Sequence, residues 1–84
     1  MARGNGQLSD GNIVAARLFF ERAADEGLAE GALAMGATFD PAELARQRVQ
    51  GTLPDLAAAR RWYERARALG STSAVERLDR LGRR

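Results

Sequence analysis

The sequence predicts an all-α fold, and three observations support that prediction. Seventeen alanines and ten leucines favour helix, whereas the only apolar β-branched residues are Ile13, Val14, Val49 and Val75. No segment alternates between apolar and polar residues with a period of two over a useful length. Helix-start residues and glycine stops recur along the chain. We therefore expect one small domain of short helices joined by short loops.

The N-terminal half predicts two helices that pack closely. Asn12 is the expected N-cap of a helix over 13–26, and Gly27 supplies its stop. A second helix is expected over about 29–38. Gly31 and Gly36 weaken that helix by roughly 1 kcal/mol each relative to alanine, so we expect them to allow a close helix–helix approach.

Three further helices are expected in the C-terminal half. Asp40-Pro41-Ala42-Glu43 combines an N-cap acid, a proline at the first helical position and an acid at the third, and predicts a helix to about residue 49. Asp55 is expected to cap a helix that runs to about residue 69 and ends at Gly70. The last helix should start within 71–73, where 73–76 has the form of a capping box, and end at Gly82. Its predicted apolar face consists of Ala74, Val75, Leu78 and Leu81.

The chain contains an internal repeat with an offset of 43 residues. Residues 15–27 read AARLFFERAADEG and residues 58–70 read AARRWYERARALG. Seven of these 13 positions are identical, and the aromatic pair Phe19-Phe20 recurs as Trp62-Tyr63. An aromatic pair, a following Glu-Arg-Ala and a closing glycine, all in register, are far less expected by chance than alanine-rich helices alone. Each unit alone cannot bury both of its faces, so stacked units would share one core.

This pattern resembles the Sel-one-like repeat, a relative of the tetratricopeptide repeat. In the second copy the matching residues are Ala58, Trp62-Tyr63, Ala66, Gly70, Ala74 and Leu78, and in the first copy they are Ala15, Phe19-Phe20, Ala23, Gly27, Gly31 and Met35-Gly36. The resemblance covers roughly residues 11–82. The period of 43 is longer than the family's usual unit, the excess falls in 39–54, and Asp79 stands where the first copy has Gly36.

The resemblance implies about two short antiparallel helix-turn-helix repeats, a fragment of an α-solenoid. We expect residues 1–11 to be a flexible N-terminus or the remnant of a preceding repeat, residues 12–82 to form the repeat domain, and residues 83–84 to be a basic tail. The repeat core is expected to consist of Ala16, Phe19, Phe20, Ala23, Gly27, Met35, Ala59, Trp62, Ala66, Gly70, Ala74 and Leu78.

Composition excludes much catalytic chemistry. All 13 basic residues are arginine, and the chain has no lysine, histidine or cysteine. Thiol nucleophiles, imidazole bases and lysine Schiff bases are therefore impossible, and the hydroxyls of 71–73 have no such base to activate them. We expect no enzymatic activity, no cofactor and no metal. The sequence has no apolar run long enough to span a bilayer and no visible signal peptide, so the compartment stays open.

The family resemblance implies a protein-interaction scaffold that binds a peptide or a partner protein on its helical surface. Arg61, Arg65 and Tyr63 are the candidate contact residues, because the two arginines lie four apart without an obvious local acid. Binding of nucleic acid or another anionic surface through arginines is the first alternative, but the net charge of only +2 and the lack of a known module make nucleic acid the weaker expectation. Self-association through uncovered repeat ends is the second. The alanine- and arginine-rich composition suggests a bacterial, GC-rich origin.

Overall fold

The computed structural model describes residues 10–82, and these residues form five α-helices and no strand. The all-α prediction is therefore confirmed. The helices are α1 (Asp10–Asp25), α2 (Ala29–Ala37), α3 (Pro41–Arg46), α4 (Leu56–Ala68) and α5 (Thr72–Gly82). Most of the predicted flexible N-terminus and the whole basic tail lie outside the described residues. Within 10–82, none of the helices combines the length and the apolar character needed to cross a membrane.

The turns after α1 and α4 have the same local geometry. Gly27 (φ 89°) and Gly70 (φ 108°) both adopt the left-handed backbone conformation that favours glycine. In each turn the amide that follows the glycine donates to the carbonyl four residues before the glycine, at 3.1 Å in the first turn and 2.9 Å in the second. These turns join α1 to α2 and α4 to α5, and the helices of each pair are in contact. We call them the first and the second hairpin.

Two of the predicted N-caps are formed. A carboxylate oxygen of Asp40 accepts from the amide of Ala42 at 3.0 Å, and one of Asp55 accepts from the amide of Ala58 at 3.0 Å. Each bond satisfies an amide that has no partner within its helix. The sequence thus identified the starts of α3 and α4 from the residue types that can supply such bonds.

Other predicted helix limits were wrong. α1 begins at Asp10, so Asn12 lies inside the helix rather than at its cap. α3 ends at Arg46 and does not reach residue 49, because Arg48 takes a positive φ of 57° and turns the chain out of the helix. α5 begins at Thr72, within the predicted range of 71–73, but its cap is Ser71, whose hydroxyl accepts from the amide of Ala74 at 3.1 Å, and not the predicted box over 73–76.

The core lies between α2, α4 and α5, with the end of α1 against it. α2 contacts both α1 and α4, and α4 contacts α5. The buried cluster consists of Ala24, Ala32, Ala59, Tyr63, Ala66, Ala74 and Leu81, and Leu33, Phe39, Trp62 and Leu78 pack against it. Small side chains dominate this cluster, which lets the helices approach closely.

The two glycines of α2 mark the closest approaches. A Cβ added at Gly31 would lie 2.6 Å from the backbone nitrogen of Ala24, and one added at Gly36 would lie 2.5 Å from the ring of Tyr63. Both distances are far shorter than a van der Waals contact. The expectation that these glycines allow close helix packing is therefore confirmed. α1 approaches α2 closely at Gly31, and α4 approaches α2 closely at Gly36.

One predicted core aromatic lies on the surface. Phe19 is 70% exposed, whereas its neighbour Phe20 is half-buried and Tyr63, the equivalent of Phe20, is 0% exposed. The contact of Gly31 with the Phe20 carbonyl and Ala23 places α2 on that side of α1, so Phe19 projects away from it. The prediction that the first residue of each aromatic pair fills the core is wrong for Phe19.

The other predicted core residues fall into three classes. Met35, Ala59, Ala66 and Ala74 are buried; Ala16, Phe20, Ala23, Trp62 and Leu78 are half-buried; Gly27 and Gly70 lie in the exposed turns. Val75, predicted on the apolar face of the last helix, is 49% exposed. In the repeat Val75 corresponds to Ala32 of α2. Ala32 is buried in the core cluster that includes residues of α4, whereas Val75 has no such cover in the described part of the chain.

Candidate binding groove

A groove of about 210 Å³ lies between α1, α2 and α3 and reaches α5 at Arg77. Its apolar lining consists of Ile13, Phe20, Leu33, Ala34, Ala37, Leu44 and Val49. Its polar lining consists of Glu30, Thr38, Glu43, Arg46, Gln47 and Arg77. Ile13 and Leu44 are buried, with 3% and 7% exposed, and form part of the apolar base of the groove. The arrangement is that of a small apolar site with polar groups around it.

The groove size restricts what can enter. Small-molecule sites usually enclose about 300–1,000 Å³, so this groove is smaller than most of them. An apolar cavity of about 150 Å³ is nevertheless large enough for a benzene molecule. The groove of about 210 Å³ therefore matches one large apolar side chain better than a whole small ligand.

Three of the four charged side chains at the groove are paired with one another, and the fourth, Glu30, is exposed. Glu43 is 6% exposed, and its Oε1 accepts from Arg46 Nη2 at 2.7 Å and from Arg46 Nε at 3.2 Å. Arg77 Nη2 lies 3.8 Å from Glu43 Oε2. Burial alone would raise the pKa of Glu43, but the hydrogen bond from Arg46 and the charges of Arg77 and Arg46 outweigh it, so the pKa is lowered. The charge of Glu43 is thus matched by the two arginines within the protein.

A buried polar network fixes α3, which forms one wall of the groove. Asp40 is 0% exposed, and its Oδ2 accepts from Tyr63 Oη at 2.6 Å and from Arg80 Nη2 at 2.5 Å. Its other oxygen caps α3. One carboxylate therefore joins α3 to α4 and α5. Burial and the hydrogen bond to Asp40 raise the pKa of the Tyr63 phenol, so it stays a neutral donor.

A second polar contact joins α1 to the end of α2. Arg17 Nε donates to Thr38 Oγ1 at 2.9 Å, and Arg17 Nη2 donates to the Thr38 carbonyl at 2.8 Å. The guanidinium also lies 3.9 Å from the centre of the Phe39 ring. Burial lowers the pKa of Arg17 from its usual value. Helical spacing within α1 does not reveal this contact, because the partner of Arg17 lies beyond the end of another helix.

The three predicted contact residues do not form one surface. Tyr63 is completely buried and donates to Asp40, so it offers nothing to a partner. Arg65 donates to Asp25 Oδ1 at 3.0 Å and to the Ala24 carbonyl at 3.3 Å, and it lies 5.2 Å from the Trp62 ring. Arg61 is exposed. The predicted unpaired positive patch at Arg61 and Arg65 is therefore corrected: the acid that pairs with Arg65 comes from α1.

The sequence did not single out the groove or its network. The sequence pattern predicted only helix-start roles for Asp40 and Glu43, and it predicted no role for Arg77 or Arg80. One signal was available, since the hydroxyl of a buried tyrosine needs a polar partner. Which acid would supply it depends on the packing of α3 against α4 and α5, and no local pattern encodes that. Comparison with models of protein families, with curated proteins and with solved structures finds no match to this chain.

Proposed function

We propose that this chain is a non-catalytic protein-interaction module that binds a peptide or a protein segment through the groove between α1, α2 and α3. The observation that carries the proposal is the groove itself: about 210 Å³, apolar at its base and bordered by paired charges. A single large apolar side chain of the partner enters it. Backbone or polar groups that flank this side chain contact the polar residues of the groove lining, namely Glu30, Gln47, Arg46 and Arg77.

The repeat supports a scaffold role. The first and second hairpins share the same turn hydrogen bonds and the same left-handed glycines at an offset of 43. These equivalences agree with the resemblance to Sel-one-like repeats, whose stacked hairpins present surfaces to partner proteins. In this proposal α3 is an insertion between two repeat units, and it supplies one wall of the groove.

Nucleic-acid binding through arginines receives less support. The side chains of Arg46, Arg65, Arg67, Arg77 and Arg80 each lie within 4.0 Å of an acid of the same chain. Cations that are matched in this way release fewer counterions on binding a phosphate backbone. The groove, by contrast, offers a space that a partner's side chain can occupy.

Selection from a displayed library of random peptides tests the proposal. Peptides that bind the wild-type chain should share an apolar anchor residue and should lose at least about tenfold in affinity for Ala34→Trp, which fills the groove. Ala57→Trp is the matched control, because it adds the same side chain at an exposed position on α4 and should leave binding unchanged. Equal binding to Ala34→Trp and wild type, or a selection that yields no binders, would contradict the proposal.

A further inference from the structure

Equivalent positions of α1 and α4 are buried to different extents. Ala58, Ala59 and Ala66 are 4%, 0% and 0% exposed. Their equivalents in α1 are more accessible: one is exposed and two are half-buried. Phe19 is 70% exposed, whereas its equivalent Trp62 packs against the core. Ala23 lies against Gly31 of α2, so we define the α1 seam by the other three of these residues: Ala15, Ala16 and Phe19.

The first hairpin covers this side of α4. Gly36 of α2 lies against the Tyr63 ring, close enough to leave no room for a Cβ. At the end of α1, the Ala24 carbonyl and the Asp25 carboxylate both accept from Arg65 of α4. α4 is thus covered by a small residue facing its aromatic ring and by an acidic helix end facing its arginine.

α1 carries the same recognition groups, and no hairpin of residues 10–82 covers them as the first hairpin covers α4. Phe19-Phe20 stands in place of Trp62-Tyr63, and Arg22, the equivalent of Arg65, is exposed. We propose that the α1 seam binds an α-helical hairpin, other than this chain's own second hairpin, whose end is built like that of α1 and α2. Its first helix ends in a carboxylate that receives Arg22, and its second helix presents glycine to the aromatic pair.

A second copy of this chain does not have that chemistry. At its C-terminal end Arg67 and Ala68 occupy the positions equivalent to Ala24 and Asp25. Head-to-tail stacking would therefore bring Arg67 towards Arg22 and provide no carboxylate. Asp79 occupies the position of Gly36, where even a Cβ has no room against the ring. The charge and the shape of this end are both unsuited to the α1 seam, so the occupant is not the second hairpin of another copy.

This surface meets the groove at one residue, because Phe20 belongs to the aromatic pair and also lines the groove. Phe19 is exposed and is not part of the groove lining, whereas Ala34 is. Phe19→Glu therefore tests the α1 seam and Ala34→Trp tests the groove, so failure of one proposal is distinguishable from failure of the other.

The chain itself supplies a probe of known chemistry. The probe is the full chain with Arg67→Ala, Ala68→Asp and Asp79→Gly, which gives its C-terminal end the residues found at the end of the first hairpin. It also carries Phe19→Glu, which blocks its own α1 seam and prevents open-ended assembly. Isothermal titration and sedimentation should detect a 1:1 complex of the probe with the wild-type chain, which is the acceptor.

Two controls define the result. An acceptor with Phe19→Glu should bind the probe at least about tenfold more weakly, and the chain carrying only Phe19→Glu should not bind the wild type. If Asp79→Gly unfolds the probe, Asp79→Ala replaces that change, and this probe should bind more weakly, because the carboxylate for Arg22 remains while the Cβ crowds the aromatic pair. A folded probe that does not bind, or that binds both acceptors equally, overturns the proposal. A wild-type dimer abolished by Phe19→Glu also overturns it, because the occupant would then be a second copy.

Discussion

Tyr63→Phe should lower the free energy of unfolding by about 2 kcal/mol. The change removes one hydroxyl from a fully buried side chain and leaves the ring in place. The lost hydrogen bond, 2.6 Å to Asp40 Oδ2, has an ionised acceptor, and such bonds contribute about 1.5–3 kcal/mol. Asp40 keeps its contacts to Arg80 and the Ala42 amide, which places the expected loss in the lower half of that range.

The loss is readily measured in a domain of this size. A change of 1 kcal/mol shifts Tm by about 4–8 °C in a domain of 60–100 residues, so we expect a decrease of roughly 8–16 °C. Circular dichroism reports the thermal transition. Fluorescence of Trp62, the only tryptophan, reports urea unfolding, in which the midpoint should fall while the slope stays unchanged.

A double-mutant cycle separates the hydrogen bond from general disturbance of the core. Asp40→Asn keeps an N-cap for α3 but removes the charge that accepts from Tyr63. The double variant should lose at least about 1 kcal/mol less than the sum of the two single losses. Strict additivity, or a Tm for Tyr63→Phe within about 2 °C of wild type, would refute the network as a source of stability.

Three further predictions follow from the burial of titratable groups and from the packing. Because the pKa of Tyr63 is raised above 10.0, its contribution to stability is complete below pH 10 and is lost as the pH rises through the folded pKa. Tyr63 is the only tyrosine, so phenolate absorbance should appear together with the loss of helical circular dichroism; phenolate in a protein that is still helical at pH 10 would contradict this. Because the pKa of Glu43 is lowered from 4.5, its contribution to stability is present above pH 4.5 and is lost as the pH falls through the folded pKa. Glu43→Gln should therefore flatten the dependence of the urea midpoint on pH in that acid range. An unchanged slope would argue against a stabilising role of the Glu43 charge. Gly36→Ala places a Cβ 2.5 Å from the Tyr63 ring and should lower the urea midpoint, because overpacking of about 1–3 kcal/mol exceeds the gain in helix propensity of about 1 kcal/mol; Gly82→Ala, with nothing within 4 Å, should not.

Local chemistry made several helix limits predictable from sequence. One carboxylate oxygen of Asp40 and one of Asp55 each cap the helix that follows, and Gly27 and Gly70 adopt a backbone conformation that other residues rarely take. These signals depend on neighbours within a few residues. The early end of α3 carried no such signal, because Arg48 adopts a positive φ without being a glycine.

Burial within the aromatic pairs required tertiary information. Phe19 and Phe20 point about 100° apart around α1, and both belong to the apolar stripe that the sequence predicts. Which of them points inward depends on where α2 crosses. The close approach at Gly31 fixes that crossing, and it turns Phe20 inward and leaves Phe19 exposed. In the second hairpin Tyr63 takes the inner position and donates a hydrogen bond to Asp40, which lies 23 positions away in the sequence.

The network around Asp40 links stability to the proposed binding function. α3 has only six residues, and an isolated helix of that length has no stability of its own in water. Its position as a groove wall therefore depends on contacts to other helices, chiefly those that Asp40 makes to Tyr63 and Arg80. Neither of these partners lines the groove. Substitutions at Tyr63 or Arg80 should consequently weaken peptide binding by releasing α3, and the loss should appear even at temperatures where the rest of the chain is still folded.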